Sequence, residues 1–141
     1  MKSILPQFVS IDNDRLSELV VNVEGTSEEC CGFLLGHDHG MRVVTAVIPA
    51  SNMAADRRTK FQIDPLEYLR AERYAANRQL ELVGIYHSHP NTAAIPSETD
   101  LREAQPCFSY VILSVSNGRF ADIRSWRLNH LHHFEEETVI H

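Results

Sequence analysis

Residues 84–100 decide the interpretation of this chain, and they read Gly-Ile-Tyr-His-Ser-His-Pro-Asn-Thr-Ala-Ala-Ile-Pro-Ser-Glu-Thr-Asp. The apolar residues before the histidines predict a buried strand over 82–89. Residues two apart in a strand face the same side, so His87 and His89 present both imidazoles to one point while Ser88 faces away. Pro90 ends the strand because it has no amide hydrogen to give to a sheet ladder.

The next four-residue motif supplies a carboxylate near the same point. Ser97 at the start of Ser-Glu-Thr-Asp predicts the cap of a short helix over 97–104, and the loop over 91–96 can fold back across the strand end. Asp100 would then lie beside His87 and His89. Two imidazoles and one carboxylate suit Zn²⁺ and leave its fourth tetrahedral position open, which is typical of a catalytic site. There the metal would lower the pKa of water to about 7.

These residues resemble the signature of the JAMM, or MPN-plus, metalloprotease family, which is His-x-His-Pro, six residues, and Ser-x-x-Asp. In that family a distant glutamate begins a strand that reads Glu-x-x-Gly-x-x-x-Gly, and residues 29–36 match it. Glu29 is therefore preferred to Glu28. Further segments that resemble the short bacterial branch of the family are Asn52, Phe61 to Pro65, Gly84 to Tyr86 and Tyr110 to Ile112.

The resemblance implies the roles of the site residues. It implies an α/β fold of the JAMM, cytidine-deaminase-like kind, with zinc on His87, His89 and Asp100. Glu29 is implied as general base and acid, and Ser97 as the group that steadies the oxyanion of the tetrahedral intermediate. The hydroxyl of Ser97 could cap the helix, stabilise the oxyanion, or do both.

The periodicity of the chain predicts a mixed central sheet with two to three packed helices, in two or three layers. The length of 141 residues fits a single domain, 1–141. Predicted helices are one of about three turns capped by Asn13 and stopped by Gly25, one capped by Asp64 with Pro65 at its first position, and 97–104. Predicted strands are 31–35, 43–48, a short one at 61–63, 82–89, 110–115, 121–128 and an edge strand over 134–140. Strand order is left open.

Composition excludes several classes of protein and site. The net charge is −6 and the basic residues are scattered, which argues against a nucleic-acid partner. No apolar run approaches the roughly 20 residues that span a bilayer, and the N-terminus lacks a signal-peptide core, so we expect a cytoplasmic protein without membrane association. The three cysteines form neither a disulfide framework nor a Cys-x-x-Cys site. Solvated loops are expected to contain His37, His39, His130, His132 and His133.

The function that the resemblance implies is zinc-dependent hydrolysis of an amide bond at the C-terminus of a ubiquitin-like or sulfur-carrier protein, whose tail ends in Gly-Gly. One alternative is a non-catalytic MPN-type scaffold, against which the complete set of signature residues argues. The other is a zinc hydrolase of a small-molecule amide, including a deaminase. A deaminase would need Pro-Cys-x-x-Cys, and Pro106-Cys107 lacks the second cysteine. The carrier, the leaving group and the oligomeric state stay open.

Overall fold

The computed structural model of this protein describes residues 7–141 as seven strands and three helices. The residues Met1 to Pro6, expected to lack a signal-peptide core, lie outside that part. The strands are β1 (Phe8–Ile11), β2 (Cys31–Asp38), β3 (Arg42–Ala50), β4 (Glu81–Pro90), β5 (Ser109–Ser116), β6 (Arg119–Leu128) and β7 (Phe134–Ile140). The helices are α1 (Asn13–Val23), α2 (Pro65–Asn77) and α3 (Glu98–Glu103).

The strands form one closed mixed sheet in the order β1-β3-β2-β4-β5-β6-β7. The pairs β1–β3, β1–β7 and β4–β5 are parallel, and the others are antiparallel. The predicted mixed α/β class is therefore confirmed. The prediction of an edge strand over 134–140 is wrong, because β1 pairs with it and places Val9 opposite Val139.

The helices begin close to the predicted positions. Asp64 caps α2 with Pro65 in its first turn, and Ser97 caps α3, as predicted. The cap of α1 is Asp12 and not Asn13, because the Asp12 carboxylate accepts the hydrogen bond from the amide of Arg15 at 2.8 Å. Within residues 7–141, no helix combines the length and the apolar character needed to cross a bilayer.

The segment 60–64 contains no strand, so the predicted short strand at 61–63 is wrong. The backbone of this segment forms hydrogen bonds with Asn52 and Met53 instead of pairing with a strand. The amide of Gln62 donates to the side chain of Asn52 at 3.1 Å, and its carbonyl accepts from the amide of Met53 at 2.8 Å.

Helices cover the central strands on both faces, which fixes the side on which the histidines project. One core cluster joins Leu19 of α1 to Tyr86 of β4. The other joins Ala71 of α2 to Ile85 of β4. Because side chains alternate along a strand, residues 87 and 89 continue the face of Ile85 and project on the α2 side of the sheet.

Candidate metal centre

Three side-chain atoms form an equilateral triangle at the end of β4. Nε2 of His87 and Nε2 of His89 are 3.1 Å apart, and each lies 3.1 Å from Oδ2 of Asp100. Such atoms at hydrogen-bond distance need protons or a cation between them. Tetrahedral zinc with bonds of about 2.0–2.1 Å separates its ligands by about 3.3–3.4 Å, so each edge of the triangle would open by only about 0.2–0.3 Å to hold zinc.

The strand end and the start of α3 hold this triangle in place. His87 and His89 are 1% and 5% exposed, with β4 paired on both sides. Asp100 belongs to a capping box: its amide donates to Oγ of Ser97 at 3.0 Å, and its Oδ2 accepts from the amide of Ser97 at 2.9 Å. The oxygen that faces the histidines is therefore also fixed by the helix start.

Hydrogen bonding determines which ring nitrogen of His89 faces the centre. Its Nδ1 lies 2.8 Å from the carbonyl oxygen of Ala93. A carbonyl only accepts, so Nδ1 carries the hydrogen and Nε2 presents its lone pair to the centre. The indole of Trp126 donates to the next carbonyl, that of Ala94, at 3.1 Å and anchors the same loop.

Glu29 lies beside the histidines although it is far from them in sequence. It precedes β2, where Cys31 pairs with His87, and it is 5% exposed whereas Glu28 is exposed. Ligand atoms of Glu29, His87 and His89 lie within 4.8 Å of one another. Within residues 7–141, Oε1 of Glu29 is buried and has no hydrogen-bond partner.

The two buried carboxylates have opposite electrostatics. Burial raises the pKa of Glu29 to about 8. Burial also opposes the charge on Asp100, but its contacts with His87, His89 and the amide of Ser97 together outweigh burial and hold the pKa of Asp100 far below its usual range. Burial lowers the pKa of His87. Burial also acts to lower the pKa of His89, but its contacts with Asp100, the carbonyl of Ala93 and the charge of Glu29 together outweigh burial and raise it. A charged Asp100 next to a neutral His87 favours a cation at this point.

Comparison with protein-family models shows the family of this chain. The family model described as prokaryotic homologs of the JAB domain, Prok-JAB, matches residues 16–129. The chain belongs to the Prok-JAB family.

Relatives and solved structures extend the likeness of this Prok-JAB chain. A protein named desampylase from Haloferax volcanii is 40% identical over 87 residues, which are 61% of this chain and 62% of that protein. The alignment thus spans less than two thirds of the desampylase. A CysO-cysteine peptidase from Mycobacterium tuberculosis is 34% identical over 72% of this chain and 68% of its own length. A protein of Desulfitobacterium hafniense with a solution structure has a TM-score of 0.82 and 28% identity, covering 94% of this chain and 91% of that one.

Three other histidines of this Prok-JAB chain make contacts outside the triangle. His37 and His39 stack on each other at 5.8 Å near the end of β2. His132 hydrogen-bonds the carbonyl of Leu101 at 2.8 Å. In the part of the chain that the structure describes, the candidate metal ligands gather at this centre, where Glu29 and Asp100 both lie beside His87 and His89.

Three contacts around the site were not predicted from the sequence of this Prok-JAB chain. Oγ of Ser88 accepts from the amide of Cys30 at 2.8 Å, which ties β4 to the residue after Glu29. The ring of Phe61 stacks on His87 with centroids 4.4 Å apart. Asn52 bonds the carbonyl of Glu29 at 2.9 Å. Asn52 and Phe61 did stand out in the family resemblance, but nothing in the sequence assigned them a contact.

Proposed function

We propose that this protein is a zinc-dependent peptidase or isopeptidase that hydrolyses an amide bond at the C-terminus of a ubiquitin-like or sulfur-carrier protein. The observation that carries the proposal is the 3.1 Å triangle of His87, His89 and Asp100 beside the unpartnered carboxylate oxygen of Glu29. The names of the relatives, a desampylase and a CysO-cysteine peptidase, support the substrate class.

His87, His89 and Asp100 would hold the zinc. The nitrogen and oxygen set suits this metal, and three protein ligands leave one position open. When bound, zinc supplies Lewis acidity, which polarises a carbonyl and makes water a better nucleophile at neutral pH. Asp100 fits the role of third ligand better than Glu29, because its Oδ2 is equidistant from both imidazoles.

Glu29 would move the proton. Its Oε1 is buried beside the histidines and free of competing donors within the described residues. A cation held by the neighbouring histidines would favour the charged form of Glu29 and offset the rise in pKa that burial causes. We infer that this carboxylate then accepts the proton of the attacking water and delivers it to the leaving amine. Such general acid–base transfer contributes typically ~10²–10⁴-fold to the rate.

Ser97 would donate to the oxyanion that develops on the scissile carbonyl. Its Oγ accepts from the amide of Asp100, which uses a lone pair and leaves the O–H hydrogen free. Ser97 is exposed at the surface, so a substrate carbonyl can reach it. The two roles left open by the sequence are therefore chemically compatible.

The tail of the carrier would lie extended near the zinc and end in Gly-Gly. Glycines just before the scissile bond let the backbone approach the metal without a Cβ clash, and main-chain hydrogen bonds to a strand give affinity with little demand on sequence. We further propose that residues 1–141 form one domain of cytidine-deaminase-like fold. The cytoplasmic location stays a prediction.

The test is incubation of the zinc-loaded protein with carrier proteins extended by an amino acid past Gly-Gly, followed by mass spectrometry of the products. Cleavage directly after Gly-Gly, lost on chelation and restored by zinc, is the expected result. Zinc binding with hydrolysis of small amides alone would select the small-molecule hydrolase. Absence of both zinc binding and cleavage would select the scaffold.

A further inference from the structure

The loop over 52–62 lies against Glu29 and is closed by a single side chain, that of Asn52. We propose that Asn52 is a positioning residue that sets the carboxylate of Glu29 against His87 and His89. The inference rests on the proposed function, because it assigns a role toward the group that moves the proton.

The side chain of Asn52 uses its whole hydrogen-bonding capacity, toward Glu29 and toward the loop itself. Its Nδ2 donates to the carbonyls of Glu29 and Lys60, each at 2.9 Å. Its Oδ1 accepts from the amides of Ala54 at 3.0 Å and Gln62 at 3.1 Å. A primary amide has two donor hydrogens and two acceptor lone pairs, and all four are engaged. Aspartate would keep both acceptors and lose both donors, and alanine would lose all four bonds.

The loop holds the backbone of Glu29 on both sides. The amide of Glu29 donates to the carbonyl of Arg57 at 2.6 Å, while its own carbonyl accepts from Asn52. Strand pairing begins only at Cys31, opposite His87. The loop therefore supplies for Glu29 the restraint that a sheet ladder would otherwise give.

The two ends of the loop meet at Asn52, and this brings a second group to the centre. The amide of Met53 donates to the carbonyl of Gln62 at 2.8 Å, next to Phe61, whose ring stacks on His87 at 4.4 Å. Asn52 thus joins the restraint on Glu29 to the loop end that packs on a metal-holding histidine.

The hydrogen bonds of the Asn52 side chain go to Glu29, Lys60, Ala54 and Gln62, and not to the three residues proposed to hold zinc, which lie on β4 and α3. Loss of its donors should therefore displace Glu29 and leave the metal in place. Misplacement by about 1 Å of a catalytic group can cost about 10²-fold in rate. We expect Asn52→Asp to lower kcat by about 10–100-fold, with KM changed less than about threefold and one zinc per chain retained.

The matched control is Asp12→Ala, which removes the cap of α1 away from the site and lowers stability without touching the loop. It should leave kcat near normal at a temperature where the protein stays folded. If Asp12→Ala and Asn52→Asp lowered kcat equally, the effect of Asn52 would be one of general stability and the inference would be overturned.

A double-mutant cycle in single-turnover experiments separates positioning from structure. In a Glu29→Gln background, Asn52→Asp should cost less than about threefold, because the group it positions has already lost its function. An equal loss in both backgrounds would contradict the inference.

Amide hydrogen exchange tests the same idea without any turnover. In Asn52→Ala the amides of Glu29, Met53 and Lys60 should lose protection, while in Asp12→Ala they should keep it. If the protein without substitutions cleaves no carrier conjugate, the proposed function fails. The exchange measurement still tests whether Asn52 holds the backbone of Glu29. Unchanged protection of Glu29 in Asn52→Ala would overturn the inference by itself.

Discussion

Replacing Ser97 by alanine separates the two roles of its hydroxyl. The substitution removes the acceptor for the amide of Asp100, which lies 3.0 Å from Oγ. It leaves the other half of the capping box intact, because the backbone amide of Ser97 still donates to Oδ2 of Asp100 at 2.9 Å. Asp100 should therefore stay in place, and zinc content should not change.

The two contributions differ in size, and this makes the experiment decisive. Loss of an N-cap side chain costs typically ~1 kcal/mol, which lowers the melting temperature by about 2–4 °C for a chain near this length. Loss of one oxyanion donor costs about 2.7–4 kcal/mol in the barrier, or about 10²–10³-fold in kcat. We expect Ser97→Ala to show the small loss of stability together with the large loss of turnover.

The assay pairs steady-state cleavage of an extended carrier with thermal unfolding of the same zinc-loaded samples. Ser97→Thr is the control, because threonine keeps both the hydroxyl donor and the capping acceptor. Near-normal turnover in Ser97→Ala, with the melting temperature clearly lowered, would refute the oxyanion role and leave Ser97 as a cap.

Four further predictions address the metal, the proton, the tail and the sheet. His87→Ala should abolish the binding of one zinc per chain, measured by elemental analysis, and full occupancy would move the metal elsewhere. Glu29→Gln should keep zinc and lose at least ~10²–10⁴-fold of the activity; a normal Glu29→Gln beside an inactive Glu28→Gln would reverse our choice of glutamate. Replacing the Gly-Gly of a cleavable carrier by Ala-Ala should suppress cleavage strongly, and equal cleavage of both would move recognition away from the tail. Glu137→Gln should destabilise the sheet by about 3–5 kcal/mol in denaturant unfolding without changing zinc content, because it removes the buried charge that pairs with the half-buried Arg127; unchanged stability would show that this ion pair is unimportant.

The arrangement of His87, His89 and Asp100 was predictable because it is local. His87, His89 and Asp100 come from one continuous strand, loop and helix, and both rules used, strand alternation and the capping box, act over two or three residues. The observed triangle and capping box match that expectation. Local patterns determined the geometry of these side chains.

The other side of the site depends on pairing between distant segments. Glu29 reaches the histidines only because β2 and β4 pair antiparallel with Cys31 opposite His87, and no local pattern encodes that register. Family resemblance supplied the residue, and burial of Glu29 beside an exposed Glu28 gives the physical distinction.

Closure of the sheet was missed for a related reason. β1 is only the four residues Phe8–Ile11, too short for a period-two pattern to stand out. Its parallel pairing with β7 joins the two ends of the described chain, and contacts of such sequence separation leave no local signal. The segment 134–140 consequently resembled an edge strand until its partner was known.

The surroundings of Asp100 and Glu29 argue for different roles of the two carboxylates. Oδ2 of Asp100 lies within hydrogen-bond distance of both imidazoles and of the amide of Ser97, so it is held on all sides at a fixed point. Oε1 of Glu29 is buried near the same imidazoles and has no partner among residues 7–141. A ligand benefits from being fixed by neighbours that orient it, whereas a group that takes up and releases a proton needs an oxygen that no donor occupies. Two acidic residues of similar chemistry can therefore take different roles because one is fully engaged and the other is left free. Asp100 is held by hydrogen bonds at the start of its own helix. Glu29, in contrast, is held through its backbone by the loop of Asn52 and Arg57, and these bonds do not involve its carboxylate.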